Sequence, residues 1–461
     1  MIFKPLNINK SKLPFSNKYL INLILPLVAD TALSVAVGVA DTLMVAQAGE
    51  AAVSGVSCIN TIQNLLIGVI MAFSTGGAVV ACQLLGMKEN ERAKKACKEL
   101  MDIVLLFSIA TSALLLIFSS EIIDFIYGNI ESDVFLSALD YSIPIYISMP
   151  FYALMSASNA ISRSMGRSKI TMNVSLLANV INIIGNAVFL FVFKLGALGV
   201  AASSLISRII GALIMFIVVC DKRKELYIPS PLKPSFDLKI AKMILSQALP
   251  AGTEKSLFHV GKILISSTIA SFGTASIAAY AVFNNFETLI DIPGTAISLA
   301  SITVVGQCCG AREYDEARYY IRKLLAVSFV SMFILSLIFF IFTPYLLTFY
   351  ALSDEAIDLA LLTVRIDCIC RAILWTFAFV SPNMLHAAGD VKLVMITAIL
   401  DMWICRVLFA NILGVYFGLG LLGTQIGMWL DWVVRVLVFI PRLLGGKWTT
   451  KGIQEKGIIA S

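Results

Sequence analysis

Apolar stretches of about 20 residues, long enough to cross roughly 30 Å of hydrocarbon as helices, follow one another along this chain from Leu20 to Leu444. In lipid, only helices and closed barrels satisfy their own backbone polar groups, and barrel strands are about half this length. The runs therefore predict an all-α polytopic membrane protein. Breaks at Gly, Pro and charge clusters place twelve spans near 20–46, 52–84, 98–118, 135–161, 170–193, 197–220, 240–271, 275–307, 319–343, 357–386, 392–416 and 420–444. Composition agrees. The chain is 59% hydrophobic and 14% charged, with a mean hydropathy of +0.89, whereas an average soluble domain carries about 25% charged residues.

The net charge of +6 invites nucleic acid as a partner, but the Lys and Arg residues sit in short connections, where membrane topology explains them. Lys88, Arg92, Lys94, Lys95 and Lys98 follow span two; Arg163, Arg167 and Lys169 follow span four; Arg312, Arg318, Arg322 and Lys323 follow span eight. The linker DKRKELYIPSPLKPSFD adds Lys222, Arg223, Lys224 and Lys233. The connections after spans three and nine, SSEIIDFIYGNIESD and ALSDEAID, contain acids and neither Lys nor Arg. Basic connections stay in the cytoplasm, so both termini are expected there. The first span is expected to be retained, because no short apolar core with a cleavage site precedes it. The expected organisation is a cytoplasmic segment 1–19, a six-helix lobe 20–220, a linker 221–237, a second six-helix lobe 238–444 and a cytoplasmic tail 445–461. The nine cysteines show no CxxC and no Cys/His grouping at zinc spacing, and read as small buried hydrophobes.

The chain also repeats itself. An offset of 224 residues carries Pro26 onto Pro250, and with it Asp30 onto Glu254, Gly49 onto Gly273, Asn60 onto Asn284, Gln83 onto Gln307, Gly86 onto Gly310 and Glu89 onto Glu313. An even number of spans per copy gives both halves one orientation. They are therefore expected to be related by a pseudo-two-fold axis along the membrane normal, with a central cleft between them.

Ionisable groups at mid-bilayer cost roughly 2.5–3.5 kcal/mol each on insertion scales, so each asks for a function or a partner. Asp30 and Asp41 of span one are three helical turns apart, on nearly one face. Burial favours a protonated acid and a nearby cation favours its ionised form, so such a group can exchange a proton for a bound cation. Both also read as structural acids, Asp41 as one at a helix end near the outer interface. In span seven, Lys255, His259 and Lys262 follow the i, i+4, i+7 spacing of one face, next to Glu254; span eight adds Asn285, Glu287 and Asp291. We expect the basic face of span seven to pair with Glu287 and Asp291. Asp30, Glu254, His259, Lys262, Asn285, Glu287 and Asp291 thus form a candidate charge network, either structural or on a transport path. Arg208, Asp401, Arg406, Asp431 and Arg435 lie in apolar context with no role assigned. Pro26, Pro250 and Pro293 are expected kinks or hinges, since proline removes a helix amide.

The strings ILPLVADTALSVAVGVADTLMVAQAGEAAV, ALPAGTEK, SFGTASIAAYAVFNNFETLIDIPG and VVGQCCGA, in this order, resemble the multidrug and toxic compound extrusion (MATE) family over about residues 15–445, the DinF-like bacterial and archaeal branch most closely. The resemblance implies the two-lobed fold of the MOP flippase superfamily and exchange of a small-molecule substrate for protons or sodium ions. It implies no cofactor or metal beyond that coupling ion, no nucleic-acid partner, and a monomer in the inner cell membrane. By the same resemblance Asp41 stands at the coupling carboxylate, Asn182 matches a fifth-span Asn, and Ser204 replaces a sixth-span Thr. Asn186, in NIIGNAVF, stands where archaeal and DinF-like members carry a second acid, which weakens a two-carboxylate site. In the second half, Phe258 or His259 lies at another branch's seventh-span Glu, with Glu254 a turn earlier. Trp375 or a neighbour takes that branch's tenth-span acid position.

The expected function is a secondary antiporter that exports amphipathic, cationic or aromatic compounds by alternating access. A flippase for a lipid-linked precursor is the alternative, kept open by Lys255, His259 and Lys262. With two His residues, no HExxH and no nucleophile elbow, no enzyme is expected. Nothing resembles a channel's filter loop.

Overall fold

The computed structural model describes residues 13–128, 130–229, 237–350 and 352–452, so residues 230–236 of the linker, Lys233 among them, and the outer parts of the termini lie outside them. All regular structure among the described residues is helical. The chain forms two compact units, Lys18–Gly252 and Thr253–Ser461, the second including the segment up to Asn17.

The first unit contains α1 (Asn17–Ala46), α2 (Glu50–Gly86), α3 (Asn90–Ile117), the short α4 (Ser119–Tyr127), α5 (Ser132–Ser164), α6 (Ser168–Ala187, continued by a π-helical turn Val188–Val192) and α7 (Gly196–Cys220). Its core joins α2, α5 and α7 through Val56, Ile59, Ile62, Tyr141, Ile145, Tyr146, Met149, Val200 and Ala201. α8 (Leu238–Ala270) begins in this unit. The Asp237 amide donates to Glu99 at 2.7 Å, and a Cβ on Gly76 would come within 2.8 Å of the Ala248 backbone. The first half of α8 is therefore held by its contacts with α2 and α3, and the units part inside α8 at Gly252, beyond the linker.

The second unit continues with α9 (Thr274–Ile290), α10 (Ile292–Gly310), α11 (Tyr314–Leu347), α12 (Asp354–Cys370), α13 (Ser381–Ala387), α14 (Val391–Leu400) and α15 (Gly420–Gly445). The single span expected at 275–307 is broken at Asp291, because Pro293 enters at the start of α10 and has no amide to continue the ladder. Pro26 and Pro250, by contrast, sit inside continuous helices, where each leaves the carbonyl four residues earlier without its usual donor. Wide π-helical stretches run over Arg371–Val380, Asp401–Leu408 and Ala410–Tyr416. α15 packs against all three, and most closely against the last two. A Cβ on Gly423 would sit 2.5 Å from the Gly414 amide nitrogen, and one on Gly427 would sit 2.7 Å from the Cys405 carbonyl oxygen, so only glycine permits this close backbone approach. The segment ahead of α1 is clamped on α11. The Phe15 amide donates to the Tyr320 hydroxyl at 2.9 Å, and that hydroxyl donates to the Phe15 carbonyl at 2.8 Å.

Nine helices among the described residues are long and apolar enough to cross a membrane, by length and composition, and they include the first six expected spans. The expected seventh, tenth and twelfth spans are outside that group. They carry much of the buried charge described next.

Candidate functional site

In the first unit, polar residues converge from α1, α6 and α7. Asn182 and Asn186 are one turn apart on the same face of α6. The Asn186 amide donates to the Asp41 carboxylate at 2.6 Å, and the Asn182 amide donates to the Ser204 hydroxyl at 3.2 Å. The Asn186 nitrogen and the Asn182 side-chain oxygen are 3.5 Å apart, and Ser203 donates to the Asn182 carbonyl at 2.7 Å. The four positions singled out in the sequence, Asp41, Asn182, Asn186 and Ser204, thus meet in one place. Asn186 is fully buried and Asp41 half-buried. Arg208, a turn beyond Ser204, donates to Ser148 at 2.7 Å and stacks over the Tyr152 ring at 5.4 Å; its charge reaches Asp41 without an ion pair.

Asp30 lies in this unit too, beside Ser175 and within the field of Arg163. The step from Asp30 to Asp41 on α1 equals the step from Ser175 to Asn186 on α6. The two helices therefore run side by side in one parallel register, and each acid has its own polar neighbours three turns from the other.

The second unit uses charge against charge. Arg371, on the first turn of a π-helical stretch, is fully buried. Its guanidinium binds Asp367 at 2.7 Å, Glu287 at 3.2 Å and Asp291 closely, and stacks over the buried Trp432 ring at 5.0 Å. Trp429 donates to the second oxygen of Asp367 at 3.1 Å. This corrects the pairing expected from span seven: no ion pair joins Lys262 to Glu287 or Asp291, and Lys262 reaches Glu287 only through space. A planar five-donor fork entering from the tenth span reaches three carboxylates at once, which a point-charge ammonium on one neighbouring helix does not. Asn285 is exposed, and His259 is half-buried and joins no ion pair among the described residues. A second cluster centres on the fully buried Asp431, held by Arg406 at 2.8 Å and Arg435 at 2.7 Å, with Asp401 at 3.9 Å from Arg435.

Beside these clusters is a cavity of about 190 Å³, lined by Glu254, Lys255, Phe258, Thr295, Ser298, Trp375, Phe379, Pro382, Asn383, His386 and Arg435. Glu254 and His386 face each other at 3.5 Å, the outer limit of hydrogen bonding. Of the three basic residues of span seven, only Lys255 lines the cavity. Gly294 admits the Trp375 ring, which would lie 2.1 Å from a Cβ there.

Sequence reading passed over Arg371, Asp367 and His386. Asp367 and Arg371 stand four residues apart in an apolar run, a legible i, i+4 ion pair whose cost in lipid should have marked it. The buried ionic groups also coincide with the wide helical stretches, a frequent association at functional sites.

The MatE family profile matches residues 26–188 and again 250–412, and the steps from 26 to 250 and from 188 to 412 are both the 224 residues of the internal repeat. The uncharacterized transporter YisQ of Bacillus subtilis is 27% identical over 94% of this chain and 95% of its own length. The probable multidrug resistance protein NorM of Thermotoga maritima is 26% identical over 97% and 96%. Among solved structures, a variant of the Vibrio cholerae MATE transporter VcmN superimposes with a TM-score of 0.85 at 18% identity, over 94% of this chain and 98% of that one, a likeness of fold. With the family's repeat present twice, at the spacing of its own duplication and on the same helical fold, this chain belongs to the MatE family of multidrug and toxic compound extrusion transporters.

Proposed function

We propose that the protein is a secondary antiporter that exports amphipathic drugs or toxic metabolites across the inner cell membrane, in exchange for protons or sodium ions, by alternating access. In this reading it works as a monomer with both termini in the cytoplasm. The single observation that carries the coupling is the Asp41 site. Its carboxylate has an amide as its direct partner and an Arg only at a distance, so gaining or losing a positive charge breaks no ion pair. The Asn186 amide donates to a carboxylate through its nitrogen; turned over, it accepts from a protonated acid through its oxygen, which is buried and has no hydrogen-bond partner. One side chain therefore serves both charge states of Asp41. A membrane potential contributes about 2.3 kcal/mol per charge per 100 mV, and a tenfold gradient corresponds to about 1.4 kcal/mol, so one ion entering per cycle drives a substantial export.

The multidrug resistance named for the Thermotoga maritima relative supports the substrate class. The flippase reading required several cations gathered on a pyrophosphate; His259 and Lys262 stand outside the residues that line the cavity, which weakens it. The test is flux of fluorescent drugs into or out of liposomes under a proton gradient, a sodium gradient or neither. Asp41→Asn should fold normally and lose gradient-driven flux by about 100-fold, on the order of 2.7 kcal/mol. Wild-type flux from that variant, with unchanged gradient dependence, would end the proposal.

A further inference from the structure

We infer that the cavity of the second unit is a binding site for an aromatic carboxylate, a monoanion, rather than for an organic cation. This rests on the exporter reading only for its physiological meaning; the binding chemistry is argued from the cavity itself.

Two cationic side chains bring unused donors to the cavity. Lys255 lines the cavity and makes no ion pair among the described residues. Arg435 spends its Nε on Asp431, but one terminal nitrogen, Nη2, is buried without a hydrogen-bond partner, in a residue only 3% exposed. A buried guanidinium nitrogen left in this state is costly, and an acceptor oxygen in the cavity relieves it. Thr295 and Ser298 add hydroxyls to the lining. The one acid among the described lining residues is Glu254, whose Oε2, like the His386 Nε2 it faces at 3.5 Å, is also buried without a hydrogen-bond partner; against it stand Lys255 and Arg435, two cations to one acid.

Exposed ring faces ordinarily attract cations through their negative quadrupole. Here Arg406 stacks on Phe258 at 5.2 Å and Arg435 stacks on Phe379 at 5.2 Å. Two of the three aromatic walls thus already carry a guanidinium on one face. This polarises the rings away from a second cation while leaving their apolar surface available for stacking. An ammonium compound entering the cavity would meet Lys255, Arg435 and two rings already engaged by cations, with only Glu254 and the Trp375 ring in its favour.

Size narrows the ligand. At about 190 Å³ the space is slightly larger than the roughly 150 Å³ cavities that take up benzene, and below the roughly 300–1,000 Å³ of drug-sized pockets. It holds one ring with a carboxylate and leaves a larger ligand's remainder, such as the second ring of a naphthyl group, at its open mouth. A pyrophosphate, with two or more negative charges beside Glu254, fits this charge balance poorly.

The experiment is direct binding to the purified full-length protein in detergent, by calorimetry, with a matched probe pair: 2-naphthoate and naphthyl-trimethylammonium, and inorganic pyrophosphate as a third ligand. The expected result is a preference of at least about tenfold for naphthoate over both others. Lys255 is exposed and its charge acts on Glu254 only through space, so its variants change the cavity's charge without breaking an ion pair. Lys255→Arg should retain the preference, Lys255→Gln should weaken naphthoate about tenfold, and Lys255→Glu should reverse the order of the two naphthyl probes. Binding of neither probe, equal or tighter binding of the cation by wild type, tighter binding of pyrophosphate, or an order unaltered in Lys255→Glu would each overturn the inference. Naphthoate preference without gradient-driven flux in liposomes would remove the exporter reading and leave the site. Driven flux of drugs without naphthoate preference would do the reverse.

Discussion

Asp41 in the first unit and Arg371 in the second are both ionisable groups inside spans of an apolar protein, yet their surroundings are built from opposite materials. Around Asp41 the direct partner is the Asn186 amide, and behind it Asn182 and Ser204 add a second amide and a hydroxyl. Around Arg371 they are three carboxylates and a stacked indole, and the neighbouring cluster balances Arg406 and Arg435 against Asp431 and Asp401. Neutral partners tolerate a change of charge on the group they surround. Fixed ion pairs do not, because losing one member strands the others in a medium that solvates them poorly. In the proposed reading the first unit holds the changeable charge and the second a rigid electrostatic frame, with the cavity set against that frame.

The largest effect expected from breaking this contrast is at Arg371. Replacing it with Met leaves Asp367, Glu287 and Asp291 facing one another without their cation, and should cost about 3–5 kcal/mol, read as a large fall in melting temperature in detergent or as failure to accumulate folded protein. A mild effect there would mean that the second unit's charges are as replaceable as those of the first. Next comes Gly294→Val, which forces a side chain onto the Trp375 ring and should cost about 1–3 kcal/mol of stability while altering binding in the cavity.

In the first unit, Asn186→Ala removes the amide bound to Asp41 and should cost about 1.5–3 kcal/mol in a fully buried setting, less at this half-buried carboxylate. Its more telling signature is functional. The pH profile of driven flux should shift while the melting temperature falls only slightly; a large loss of stability with an unmoved profile would make Asn186 a packing residue. The smallest change, Ser353→Ala, removes the hydroxyl that accepts the Ala356 amide at the start of α12 and should lower stability by about 1 kcal/mol. Flux should be unchanged in that variant, which serves as the control for general destabilisation.

The resemblance to a known family brought Asp41, Asn182, Asn186 and Ser204 onto one list, and three helices bring them together. Asn182 and Asn186 also carry their own local signal, one turn apart on a single helix. The same kind of signal misled at span seven. Lys255, His259 and Lys262 share a spacing, but helical periodicity says only which residues face the same way, not what faces them. Arg371 came from a different span and took the carboxylates that Lys262 was expected to hold. Pro293 announced a break, although nothing local to it placed Trp375 against Gly294.

The sequence by itself determined the all-helical membrane fold, the duplication and the family, because hydrophobic length, loop charge and repetition are properties of the chain read in order. Only the tertiary structure decided which buried charges meet, where the units divide along α8 and which residues enclose the cavity. Those depend on close contact between helices distant in sequence, and a shift of one turn in any of them would change every partner.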